Sequence, residues 1–271
     1  MSKFRYGCES FTWSMSGNKY AGDCPHMCQV IHSAGFTGIE SGRGMMGKYF
    51  DDASLMIDLL EKHGLQLTSI GFGGSWANPT LTDEERASAE RCFDYLKAFP
   101  EPRLSLAHGS RDRNDLVERQ RNAIACANEV GKLAADVGIS CAFHASSYPT
   151  SLFLIEDDYK RMLDLLDPQV VRYCPDSGHI VNGGMDVYEI FKTYVSVIGH
   201  VHLKDITADK HWAAMGEGII DFSQLMKTLS DADYDGWIVF EEESFSAKDD
   251  PDGATLKNGR YLSETLLPLG F

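Results

Sequence analysis

What leaves this chain fewest folds is a rhythm. Apolar, strand-like runs lie near residues 4–8, 37–40, 65–72, 102–107, 139–144, 170–175, 198–204 and 236–241. Helix-like stretches fill the intervals, near 23–34, 52–63, 82–98, 116–137, 156–166, 185–195, 222–231 and 257–267. Strand, helix, strand with short gaps means parallel pairing through right-handed crossovers. Eight such units in 271 residues are enough to close a ring. The expectation is an α/β chain folded as a (β/α)8 TIM barrel, one domain over residues 1–271. A doubly wound open sheet is the competitor. It normally needs fewer strands, and a chain this long would then usually show a second domain. No Pro/Gly/Ser-rich linker and no low-complexity segment separates one.

Local signals agree. Ala123, Ala127, Val130, Ala134 and Val137 recur at helical spacing, and Tyr159, Met162, Leu163 and Leu166 repeat the pattern. Thr82 followed by Glu85 fits a capping box, in which hydroxyl and carboxylate each satisfy a free backbone N–H.

Composition removes several functions. The formal charge is −15, from 40 acidic against 25 basic residues, with no Lys/Arg run. A phosphate-backbone footprint is missing, which argues against nucleic-acid binding. The start MSKFRYGCES lacks an apolar signal core, and no apolar stretch approaches a membrane span. Seven cysteines, an odd number, suggest reduced thiols and a cytoplasmic location. Self-association into a homo-oligomer is left open.

The chemistry sits at strand ends. In parallel α/β folds ligands bind at the carboxyl ends of strands. Val170–Tyr173 leads into Asp176-Ser-Gly-His179, an Asp that can bind a cation and a His that a tight turn brings back toward it. The competing reading is an Asp that caps the next element beside a solvated His. His200, His202 and Lys204 alternate and so share one strand face, which in a barrel is the interior. Buried there they need partners: metal, carboxylate or substrate. Trp237–Phe240 ends in Glu241, which shares parity with Trp237 and Val239 and projects inward, while Glu242 and Glu243 read as a solvated acidic loop. Glu241 and Glu243 at i and i+2 would repel without a cation nearby. His144 and His108 end strands singly, as does Glu40; each is a substrate-binding group, an outer partner or a structural residue.

Other motifs carry less. Gly42-Arg-Gly-Met-Met-Gly47 matches a dinucleotide fingerprint, but the next strand runs into Gly71-Phe-Gly-Gly74 with no acid, so a nicotinamide cofactor is rejected. Both Gly-rich stretches read as mobile loops over a pocket. Cys24, Cys28 and His32 fall at i, i+4, i+8, yet Met27, Ile31 and Ala34 share the stripe and favour buried thiols over a metal site. No G-x-S-x-G elbow occurs. Arg43, Lys48, Arg111 and Arg113 are candidates for gripping a phosphate, or are simply solvated.

Together these segments resemble the xylose isomerase-like barrel superfamily, which holds sugar isomerases and epimerases, 2-keto-myo-inositol dehydratases and zinc apurinic endonucleases. The resemblance rests on Asp176-Ser-Gly-His179, His200-Val-His-Leu-Lys-Asp205, Gly216-Glu-Gly-Ile-Ile-Asp-Phe222 and Gly236–Glu241, with Gly35-Phe-Thr-Gly-Ile-Glu40 in the amino-terminal half. It implies a divalent cation held by Asp176, His202 and Glu241, with a fourth ligand ending the fifth strand. Ketose epimerases have a Glu there; this chain has His144, or failing that Glu156 or water. The departure sets aside a two-carboxylate epimerase mechanism and leans toward the dehydratase branch. Manganese is the preferred ion, with magnesium, cobalt and zinc as alternatives. The first functional expectation is an isomerase or epimerase of a small sugar, sugar phosphate or keto-polyol. Glu241 would be the base, and Lys204 or His179 the acid. A dehydratase assisted by His144, His179 or Lys204 is the runner-up, and a non-catalytic sugar-binding barrel the third reading. His108, Glu40, His200 and Trp13 are the expected substrate-binding residues.

Overall fold

The computed structural model describes residues 4–271. Eight strands make one parallel sheet: β1 Arg5–Glu9, β2 Gly38–Gly42, β3 Gln66–Gly74, β4 Arg103–His108, β5 Ser140–His144, β6 Arg172–Cys174, β7 Val201–Leu203 and β8 Trp237–Phe240. Their order is β6-β5-β4-β3-β2-β1-β8-β7. Single parallel bridges, Tyr173–Ile198 and Asp176–His202, join β6 to β7 and bring the sheet round into a barrel. Every expected strand is present, displaced by at most a few residues.

The outer layer is α1 Cys24–Ser33, α2 Ala53–His63, α3 Asp83–Leu96, α4 Leu116–Ala135, α5 Glu156–Leu165, α6 Val187–Tyr194, α7 Phe222–Asp231 and α8 Pro251–Tyr261. Apolar faces of these helices meet the outward side chains of the strands. Phe240 on β8 also packs edge-on against Phe36, in the turn between α1 and β2, with ring centroids 5.2 Å apart. On α4, Ala123, Ala127, Val130 and Ala134 are buried, but Val137 lies past the helix end and is exposed. The capping box at Thr82 forms as expected.

Two expectations fail. The last helix starts at Pro251, well before 257, because Asp250 caps it and accepts from Gly253 N–H at 3.0 Å. Proline at the first helical position suits that start. Glycines hide the periodicity here; at Gly259 a Cβ would sit 2.0 Å from the Ala34 carbonyl oxygen, so α8 meets α1 backbone to backbone. The Gly-rich stretches are also ordered structure rather than mobile loops. Residues 43–46 and 48–51 form short helices with Met45 and Met46 buried, and Gly71–Gly74 completes β3, paired with β4.

Inside the barrel, Trp237 fills the amino-terminal end. It lies against Gly38, where a Cβ would come within 2.6 Å of the indole. The carboxyl-terminal end is left to polar side chains. A register shift between Ile39 and Glu40 in β2 falls at that rim, where such irregularities re-aim a side chain.

Candidate metal centre

The seam between β6 and β7 sets two of the polar groups. Asp176 and His202 are bridge partners, so their side chains start as near neighbours. Asp176 caps the helical turn Ser177–Asn182, with Oδ1 accepting the His179 N–H at 2.8 Å. Its other oxygen, Oδ2, is buried without a hydrogen-bond partner among the described residues. The capping role and a free ligand oxygen therefore coexist on one carboxylate.

Around that free oxygen the other candidates converge. His144 Nε2 lies 3.5 Å from Asp176 Oδ2 and 3.9 Å from Glu241 Oε2, and it too is buried without a hydrogen-bond partner. His202 Nδ1 lies 3.1 Å from Glu241 Oε2. His144, Asp176, His202 and Glu241 each place a ligand atom within 4.8 Å of the others. Bonds of about 2.0–2.2 Å to one ion put neighbouring donors roughly 3–3.5 Å apart, so the spacing fits. Leaving His144 Nε2 and Asp176 Oδ2 buried without a hydrogen bond costs free energy, and a cation between them would satisfy both. These four residues could hold a divalent ion.

Beneath this cluster lies a second layer. Glu40 Oε2 is 3.2 Å from His202 Nε2 and 2.7 Å from His200 Nε2. His202 thus turns one nitrogen to Glu241 and the other to Glu40. Burial opposes the charge on Glu40, but the two imidazoles outweigh it and hold its carboxyl well below the usual range. Burial dominates at His200 and pushes it down to about 4, so the ring is neutral.

Lys204 links the site to β8. Its Nζ donates to Glu241 Oε1 at 2.7 Å and to Glu243, and lies 3.1 Å from His179 Nε2. Burial opposes its charge; Asp176, Glu241 and Glu243 outweigh that and hold its pKa well above an ordinary lysine. The repulsion expected between Glu241 and Glu243 is met by this ammonium. Glu242 and Glu243 are accordingly not a solvated loop. Glu242 is buried and accepts from Asn258 at 3.0 Å, and Glu243 accepts from Tyr148 at 3.1 Å. Ser147 N–H donates to His179 Nδ1 at 3.1 Å. Burial and the Lys204 charge push His179 down to about 3. Both ring nitrogens thus face donors, the Ser147 N–H at Nδ1 and the Lys204 ammonium at Nε2, which disfavours the imidazolium further.

A cavity of about 570 Å³ opens above, lined by His144, His179, His202 and Glu241 on one side and by Glu9, Glu40, His108 and several serines on the other. His108 donates from Nε2 to the Ser75 carbonyl at 2.8 Å, leaving Nδ1 buried and without a partner among the described residues. Two expected substrate-binding residues are placed elsewhere. Trp13 is fully buried outside the cavity lining and donates to Asp252 at 2.8 Å. His200 is fully buried beneath Glu40 and does not line the cavity. Glu156 is exposed and pairs with Lys160 at 2.7 Å, away from the cluster. Glu9 is not singled out by the sequence reading, which also takes Glu243 for a solvated loop residue. Glu9 directly follows an apolar run, the same signal that marks Glu40 and Glu241.

The family model for the xylose isomerase-like TIM barrel matches residues 28–264. The chain belongs to that family. Within it, the chain is 26% identical to an inosose dehydratase of Clostridium perfringens over 266 residues, covering 85% of this chain and 86% of the relative. The barrel superposes on the IOLI protein with a bound zinc atom at a TM-score of 0.76 and 12% identity, covering 99% of both chains. It superposes on D-psicose 3-epimerase with D-tagatose from Clostridium cellulolyticum H10 at 0.74 and 16% identity, covering 97% of this chain and 99% of that one. The chain is thus similar in sequence to a named dehydratase and in fold to a named epimerase. Among the described residues no helix is long and apolar enough to cross a membrane.

Proposed function

We propose that this xylose isomerase-like barrel is a divalent-metal-dependent dehydratase of a small keto-polyol, of the kind the inosose dehydratase relatives are named for. The observation that carries the reading is the convergence of His144, Asp176, His202 and Glu241 at the cavity floor, with two of their ligand atoms buried without a hydrogen-bond partner among the described residues. The ion expected is manganese, with magnesium, cobalt or zinc as alternatives. Bound there, it would supply Lewis-acid polarisation of a substrate carbonyl.

The chain's own groups account for the proton movements. Glu241 takes the proton from the carbon beside the carbonyl. Lys204 Nζ lies at one edge of the site, 3.1 Å from His179 Nε2, and a departing β-hydroxyl placed there accepts a proton from this ammonium; His179, a neutral ring, serves to orient the hydroxyl rather than as the acid. The C–O bond breaks, water leaves and a conjugated enone remains. Glu241 as the single carboxylate base suffices for this, whereas a two-carboxylate proton exchange would need a second base at the place of His144.

Isomerisation or epimerisation of a sugar or sugar phosphate from the same deprotonated state is the second reading, favoured by the barrel's likeness to D-psicose 3-epimerase. Incubation of the metal-loaded protein with a keto-inositol and keto-hexose panel separates the two. Loss of water with rising ultraviolet absorbance is the expected result; a product of unchanged mass moves the assignment to isomerase. No product and no deuterium uptake from heavy water by any bound ketose would leave a sugar-binding barrel instead.

A further inference from the structure

Of the three glutamates that line the cavity, two are engaged. Glu40 is held by His200 and His202, and Glu241 by Lys204 and His202. Glu9 is different. It ends β1 in register with Glu40, and its Oε2 is buried without a hydrogen-bond partner among the described residues. Gly7, two residues earlier, faces the barrel interior, where a Cβ would sit 3.0 Å from Thr68. Strand alternation therefore turns Glu9 inward as well. A buried carboxyl with an open acceptor is costly unless a ligand donates to it.

The rest of this wall has matching chemistry. His108 Nδ1 is a second acceptor without a donor. Ser105, Ser110, Ser146, Tyr148 and Thr150 add hydroxyls. Among the described residues no lysine or arginine lines the cavity. The arginine nearest in sequence role, Arg113, donates to the Ser151 carbonyl and pairs with Asp158 at 2.7 Å. Arg43 lies over Phe72 and donates to Ser88 at 2.9 Å. A phosphate dianion carries acceptors only, so it could not donate to His108 Nδ1, and among the described residues this wall, away from Lys204, offers no cationic side chain to replace its lost hydration. A neutral polyol offers hydroxyl hydrogens to both.

We propose that Glu9 is a specificity residue, which takes hydroxyl hydrogens of an uncharged polyol substrate and disfavours phosphorylated or carboxylated analogues. The inference rests on the reading of this cavity as the substrate site. It is tested by binding rather than turnover, so that its failure is distinct from failure of the dehydratase reading. Metal-loaded wild type and Glu9→Gln are titrated calorimetrically with myo-inositol and with myo-inositol 1-phosphate. The wild type should bind the neutral probe at least about tenfold more tightly than the phosphorylated one. Glu9→Gln, with unchanged metal content, should weaken myo-inositol binding by about tenfold, the worth of one hydrogen bond, and narrow the gap between probes. Equal or tighter binding of the phosphate by wild type overturns the proposal. So does a Glu9→Gln variant that binds both probes as wild type does, or a wild type that binds neither. A polyol that binds as expected but is never converted or exchanged leaves Glu9's role standing and removes the dehydratase assignment.

Discussion

From β5 to β8 the strand ends deliver His144, Asp176, His202, Lys204 and Glu241; from β1 to β4 they deliver Glu9, Glu40, His108 and small residues such as Gly73 and Gly74. In the first group nearly every charge is spoken for by another member of the same group. Buried charges are tolerable only as such sets, so the carboxyl-terminal half behaves as a unit. In the second group Glu9 Oε2 and His108 Nδ1 are left open. The lesson is a division of labour across one rim. One half assembles the reactive charges, and the other offers hydroxyls and open acceptors that select what is brought to them. Glu40 is the exception that ties the halves together, since it comes from β2 but bonds to His202.

The largest effect should come from breaking the interlocked half. Glu241→Gln removes a ligand atom, the proposed base and the main acceptor of Lys204. Turnover should fall by about 10³-fold or more, and elemental analysis should show weaker metal retention than the wild type's expected complement of about one ion per chain. Asp176→Asn and His202→Ala should behave alike. Full activity in Glu241→Gln would remove the metal reading. His144→Ala sharpens it: metal loss places His144 among the ligands, whereas retained metal with lost activity places it on the substrate.

The tie between halves should give an intermediate effect. Glu40→Gln keeps the volume but weakens the partner that orients His202 through Nε2. Outer partners of metal-bound histidines typically account for 10–100-fold in affinity. Metal dissociation measured by competition with a chelator should fall in that range while substrate KM moves less. A KM change with unaltered metal affinity would instead make Glu40 a substrate-binding residue, as its sequence position first suggested.

Much of this was legible because a polar residue at the end of an apolar run is a local signal. Asp176, His202, Glu241, His144 and Glu40 all follow it, and the alternation of runs gave the barrel its count. Contacts between distant segments were not legible. Trp13 looked available at the end of β1, but Asp252, 239 residues away, takes its indole N–H. Glu243 looked like solvated loop until Lys204, 39 residues earlier, was placed beside it. His200 shares the strand face of His202, yet depth along the barrel axis puts it below the cavity, and alternation says nothing about depth. Asp250 and Pro251 did carry a start signal for α8, obscured by the glycines that let the helix approach α1.

The smallest effect should come from a histidine that sequence spacing also offered as a ligand. Cys24, Cys28 and His32 lie one helical turn apart on α1. In the structure they do not act together. Cys24 and Cys28 are buried, and burial pushes both thiols up to about 12, which keeps them protonated. A thiol must be deprotonated to bind metal. His32 points the other way, exposed on the surface beside His63 at 6.3 Å between ring centroids. Removing it takes no group from either half of the rim and uncovers no buried side chain. His32→Ala should therefore leave metal content and turnover at wild-type levels and change stability by no more than about 0.5 kcal/mol, as for an ordinary surface site. A variant that lost metal would show that α1 contributes to an ion site, and the division between the two halves of the rim would have to be redrawn.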